Sequence, residues 1–183
     1  MNNILLVGKT VYLRLADIGD ADFIYSLRIN EKLNKHISKI SGTANDQAEW
    51  LKKYKDKESL GLEYYFIIAR KDNNKPVGTV RLYGLTEDNR FCWGSWVLNS
   101  DKTVTSAIES AYLLYKFAFE EKKYESAYFQ VDNDNAPVIS FHKKTGAICT
   151  GKDKINENFI YTLDCYNKFK NRYINIVESK QND

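Results

Sequence analysis

Apolar and polar positions first alternate at Val11 to Leu15, which predicts a strand. Asp20 then caps a helix whose Phe23, Ile24 and Leu27 share one face. From Asn45 to Lys57, Trp50, Leu51 and Tyr54 recur at three-to-four spacing, the pattern of an amphipathic helix with its lysines in solvent. Glu63 to Arg70 and Val77 to Tyr83 are β-branched and aromatic runs around the turn chemistry of Asp72, Asn73 and Asn74, so they predict a hairpin. Phe91 to Leu98 adds a third antiparallel strand. The period then changes: Ile108, Ala111, Tyr112, Tyr115, Ala118 and Phe119 mark a long helix ending near Lys122. Ser126 to Val131 reads as a buried strand, and Pro137 opens a helix that stops at Gly146. Ile148 and Asn158 to Leu163 read as closing strands. The helix between Leu98 and Ser126 makes its flanking strands parallel neighbours.

Composition narrows the class. At 183 residues the chain suits one domain spanning 1–183, with a C-terminal helix and polar tail from about Tyr166. Its 43% hydrophobic and 28% charged residues exclude global disorder. The longest apolar run, Tyr64 to Ala69, falls far below the roughly 18 residues of a membrane span, and no secretory leader opens the sequence, so a cytoplasmic protein is expected. A net charge of +3 with scattered lysines argues against nucleic acid as a partner. Cys92, Cys149 and Cys165 form no CxxC pair, and His36 and His142 lie far apart, so neither a disulfide scaffold nor a metal site is expected. The 14% aromatic content favours a sheet-containing fold. Tyr166, Phe169, Tyr173, Ile176 and Val177 form an apolar helix face that either packs on its own core or serves a homodimer.

Over Trp96 to Ala147 the order of elements and the residues resemble the GNAT superfamily of acetyl-CoA-dependent N-acetyltransferases. That family shows Asn-x-x-Ala-Ile-x-x-Tyr-x-x-x-Gly-Phe after its fifth strand. Here Asn135, Ile139 and Gly146 fall in register, with His142 at the tyrosine and Ala147 at the phenylalanine. Val11 to Leu15 with Asp20 and Ala21, and Pro76-Val77-Gly78, are also similar to the family. The resemblance implies an α+β fold: a mixed, mostly antiparallel sheet of six to seven strands, splayed between the fourth and fifth and flanked by four to five helices. It implies acetyl-CoA as co-substrate, held by the strand positions Val97, Leu98 and Val131, by Asn135, and at the following helix tip.

The family's glycine-rich pyrophosphate loop is replaced here by Asp101 to Ala107 without glycine. A helix tip still offers unpaired amides and a positive dipole end. Lys102, Thr103, Val104, Thr105 and Ser106 are therefore the expected diphosphate site, with three hydroxyls and one cation. His142 replaces the family's thiolate-protonating tyrosine and is the expected catalytic acid, as imidazolium or as a neutral N–H. The family's usual glutamate is replaced by Cys92, which leaves the base to water and Glu63, Glu87 or Asp88. His36 has no partner in its lysine-rich stretch and receives no role. Trp50, Tyr54, Tyr64, Tyr65, Tyr83 and Trp93 are rings for stacking or for the core. The stretch Phe141 to Phe159 is similar to GNAT members that acetylate amino-sugar nucleotides for surface polysaccharide, so the expected acceptor is a small-molecule primary amine such as a 4-amino sugar nucleotide. A protein N-terminus of the ribosomal type, and an inactive GNAT-fold module, are the alternatives.

Overall fold

The structure is a computed structural model that describes residues 4–37 and 40–178. The tail expected beyond Glu178 lies outside the described residues. Eight strands form one sheet: β1 (Leu5–Val7), β2 (Val11–Leu15), β3 (Tyr64–Arg70), β4 (Pro76–Tyr83), β5 (Arg90–Leu98), β6 (Ser126–Asp132), β7 (Ile148–Lys152) and β8 (Asn156–Thr162). The spatial order is β1-β2-β3-β4-β5-β6-β8-β7, and the β5–β6 pair alone is parallel among the described strands. The helices are α1 (Ala21–Ile29), α2 (Ala44–Ser59), α3 (Ser106–Lys116), α4 (Ala136–Lys144) and α5 (Leu163–Val177). The count of eight corrects the expected six to seven. The strand without an expectation is β1, three residues too short to show a period; β7, expected from Ile148, has all five residues exposed.

Burial follows from which helices cover which face. Every residue of β3 except Arg70 is buried, because helices pack on both sides of it. Tyr64, Phe66 and Ile68 enter a large core with α3 and α5, while Tyr65 and Ile67 meet Ile24 of α1 and Leu51 and Tyr54 of α2. Each such side chain contributes roughly 1.5–3 kcal/mol of burial free energy. The second cluster contains no residue of β5 to β8, so α1 and α2 stop short of that half of the sheet. On β6, Ala127, Phe129 and Val131 are accordingly buried toward the large core, whereas Tyr128, Gln130 and Asp132 stand on the uncovered face. α5 packs Tyr166, Phe169 and Val177 into the large core of its own chain.

Two local signals set the helix ends that matter. Thr43 and Asp46 form a capping box at α2, and the Thr162 hydroxyl accepts the Cys165 N–H, starting α5 three residues before Tyr166. α3 runs on into a π turn over Phe117–Glu121, where Lys122 N–H donates to Phe117 O at 2.9 Å, the end its period predicts.

Candidate active site

The parallel pair β5–β6 is registered only at Arg90↔Ser126 and Phe91↔Ala127. Beyond Phe91 the strands part. The cause lies in β5: Thr79 faces Val97 and Arg81 faces Gly94, so Ser95 and Trp96 together stand opposite Val80 as a bulge. Ser95 takes φ +48°, and the Thr79 hydroxyl donates to its carbonyl at 2.8 Å. The bulge bends β5 away and opens a cleft of about 980 Å³.

Of the expected strand positions Val131 lines the cleft, and Val97 and Leu98 follow its lining residue Trp96 along β5. Val97 and Leu98 pair with Thr79 and Gly78 on one side only, and Val131 pairs only with Glu157. Their other edges face the gap, where an extended ligand can complete the backbone pairing. Asn135 lines the cleft at the start of α4.

At the α3 tip the hydroxyls are committed within the protein. Ser106 is fully buried and its Oγ accepts the Thr103 N–H at 2.8 Å; Thr103 Oγ1 is shared with Thr10 Oγ1 at 2.6 Å. Thr105 Oγ1 donates to Glu109 Oε1. This corrects the expectation of three free hydroxyl donors: the groups the tip leaves available are its first-turn amides and the exposed Lys102. Val104 is fully exposed at the loop's apex.

His142 lies on α4 against the large core, only 4% exposed, with Phe129 at 4.4 Å and Trp93 at 5.3 Å between ring centroids. Its Nδ1 is buried without a hydrogen-bond partner. Burial pulls its pKa down to about 3, so the imidazolium form expected of an acid is not populated near neutrality. The ring lines the cleft as a neutral imidazole.

The other expected bases stand elsewhere. Glu63 is bound by Arg81 and Lys57, Asp88 by Arg90 and Thr86, and Glu87 is exposed; none lines the cleft. Cys92 does, but burial pushes its thiol pKa up. Of the six aromatic candidates, Tyr54, Tyr64 and Tyr65 are core residues, and Tyr83 and Trp93 reach the cleft.

The uncovered sheet face forms the cleft's second wall. Pairings Tyr128↔Ile160, Gln130↔Asn158 and Asp132↔Asn156 put these side chains on one surface, and Thr150 of β7 joins them. The turn after α1 supplies Lys35 and His36. His36, given no role by its sequence context, meets Asp132 with Nδ1 3.0 Å from Oδ2. Among the described cleft residues Asp132 is the one carboxylate, against the cations Lys35 and Arg90. No cluster of metal-ligating groups occurs among the described residues, and none of their helices is long and apolar enough to cross a membrane.

Comparison with known proteins gives the geometry a context. The acetyltransferase (GNAT) domain family matches residues 10–148. A structure described as apo FdhC, a nucleotide-linked sugar GNAT, is 46% identical with a TM-score of 0.88, covering 94% of this chain and 97% of that one. A ribosomal-protein-S5-alanine acetyltransferase from Vibrio fischeri is 15% identical with a TM-score of 0.77, covering 88% of this chain and 98% of that one. A spermidine N-acetyltransferase from Vibrio cholerae, in complex with CoA and spermine, is 14% identical with a TM-score of 0.73, covering 86% and 98%. The last two bear on the fold alone. No curated protein matches the chain.

Proposed function

Because this chain belongs to the GNAT acetyltransferase family, as an acyl-CoA N-acetyltransferase, we propose that it moves the acetyl group of acetyl-CoA to a primary amine on a nucleotide-linked sugar. The observation that carries the reading is the uncovered sheet face, paved beside the cleft with Gln130, Asn156, Asn158 and Thr150. Amide and hydroxyl side chains suit the many hydroxyls of a sugar, and Tyr128 offers a ring beside them. Lys35 and Arg90 outnumber the single carboxylate, which suits an anionic diphosphate and disfavours a polycation. The likeness to a nucleotide-linked sugar GNAT supports the same choice.

The donor thioester lies along the open edges of Val97, Leu98 and Val131, with Asn135 beside it and its diphosphate at the amides of the α3 tip and Lys102. A backbone N–H at the Ser95–Trp96 bulge polarises the thioester carbonyl. His142 presents a neutral N–H to the departing sulfur, a positioned donor of one hydrogen bond on the leaving-group side. Acetyl-CoA at about 100 times its Kd stabilises the fold by about 2.7 kcal/mol, read as a melting shift. Thiol release is then followed with amino-sugar nucleotides, polyamines and peptides. Turnover of the sugar nucleotides is the expected result. Turnover confined to polyamines or peptides, or silence from all three, overturns the reading.

A further inference from the structure

The geometry points to His36 as the catalytic base of the transfer, accepting the proton of the acceptor ammonium while Asp132 holds its ring. This rests on the acceptor docking on the uncovered sheet face.

Asp132 ends β6 at the open side of the splay. Its Oδ1 accepts the Asp134 N–H at 2.8 Å and its Oδ2 meets His36 Nδ1 at 3.0 Å, so both oxygens are engaged. The His36 and Asp134 contacts hold the carboxyl below the usual carboxylate range, keeping it ionised at neutral pH. A carboxylate at Nδ1 selects the Nδ1–H tautomer and leaves the Nε2 lone pair free to take a proton. Counting forward from Phe91↔Ala127 puts Asp132 across the gap from the Trp96 to Val97 stretch, level with the bulge that receives the thioester carbonyl. His36 therefore approaches the reacting carbon from the acceptor's side of the sheet. Its ring is 19% exposed, which lets a captured proton exchange with water.

The neighbouring charges are Lys35 on the same turn, Asp132 at the end of β6 and Asp134 in the turn that follows; Arg90 lines the cleft near its closed end. The protons balance as follows. The ammonium loses one proton to His36 Nε2, the freed nitrogen pair forms the C–N bond as the C–S bond breaks, and the second N–H proton passes to the departing sulfur. His36 then releases its proton to solvent.

The test compares wild-type protein with His36→Gln and Asp132→Asn, using whichever amine the wild type acetylates. A failure of the sugar reading thus appears in the wild-type acceptor panel, and a failure of the base appears only in the variants. The expected result is a kcat lowered about 10²- to 10³-fold in His36→Gln, with acetyl-CoA affinity kept. That deficit shrinks as pH rises toward the amine's own pKa, because solution then supplies the free amine. Imidazole added to His36→Ala restores part of the rate. Asp132→Asn, with a melting curve to check its fold, loses at least tenfold in kcat. A deficit that stays constant with pH, one confined to the acceptor KM, or wild-type kcat in both variants overturns the assignment.

Discussion

Glu109 offers a sharp test of how this fold holds the loop before α3. It sits in the first turn of α3 with no exposed surface. Oε2 accepts the Thr10 N–H at 2.7 Å and the Val11 N–H at 3.2 Å; Oε1 accepts the Thr10 hydroxyl at 2.6 Å and the Thr105 hydroxyl at 2.5 Å. Glu109→Ala strands two backbone donors that cannot reorient. At roughly 1–3 kcal/mol per unsatisfied group the cost is about 2–6 kcal/mol, a large share of the 5–15 kcal/mol typical of a domain. Glu109→Gln keeps an amide oxygen for both N–H groups, and its NH2 faces two hydroxyls that turn from donor to acceptor. That change costs about 1 kcal/mol. Because Thr10 also holds Thr103 and Thr105, the alanine variant loosens the loop before α3 and weakens acetyl-CoA binding at least tenfold, while the glutamine variant binds normally. Urea unfolding and a direct titration of acetyl-CoA read both effects. Equal losses in the two variants, or less than about 1 kcal/mol in Glu109→Ala, refute the reasoning.

Three further outcomes follow from packing and titration. His142→Phe fits the surrounding rings and lowers kcat tenfold or more with acetyl-CoA affinity kept; unchanged turnover in a thiol-release assay reduces His142 to a wall residue. The same variant alters acid stability. With a folded-state pKa of about 3 against about 6.5 unfolded, the unfolded chain binds the extra proton between those values, so wild-type stability falls by roughly 1.4 kcal/mol per unit as pH drops. Urea unfolding across that range should show this component missing in His142→Phe, and parallel curves would contradict the neutral buried ring. Gly78→Ala places a Cβ 2.2 Å from Val97 O, forcing β5 to shift at the pantetheine edge; about 1–3 kcal/mol of stability and a raised acetyl-CoA KM are expected in unfolding and kinetic assays, and wild-type values in both would refute it. Asn158→Ala, on the uncovered face, raises the sugar-nucleotide KM with acetyl-CoA KM unchanged in steady-state kinetics, and an unchanged acceptor KM removes the amide from the subsite.

Elements that bury one face were legible in the chain. α3 announced itself because Ala111, Tyr112, Tyr115 and Ala118 all face the core, and β6 because Ala127, Phe129 and Val131 alternate with polar residues. β1 had no such signal, being three residues long, and β7 offered Ile148 alone, since it is held by its pairing with β8 rather than by burial. The Asn135 to Gly146 spacing marked α4 and with it one wall of the cleft. The uncovered wall was not legible. His36 and Asp132 are 96 residues apart, and neither position has a local partner that marks it. The bulge is equally silent, because Ser95 adopts its positive φ through the Thr79 contact and strand register, with no glycine at that position. The hydroxyls before α3 misled for a related reason: their internal partner, Thr10, is supplied by the bend just before β2, which sequence proximity cannot reveal.

The splay also gives the two histidines opposite chemistry. One break in the sheet exposes a cleft to two environments: rings of Trp93 and Phe129 on the α4 side, and amides with a carboxylate on the uncovered side. Desolvation without a partner favours the neutral ring, so His142 carries no positive charge near neutral pH. On the other wall the partly exposed His36 ring meets the Asp132 carboxylate through Nδ1, a contact that fixes its orientation and holds the carboxyl below the usual carboxylate range. Exchanging the two environments would disable both residues. Substituting Asp132 by Asn should therefore impair the amine side of the reaction while the thiol side, and acetyl-CoA binding with it, stays intact.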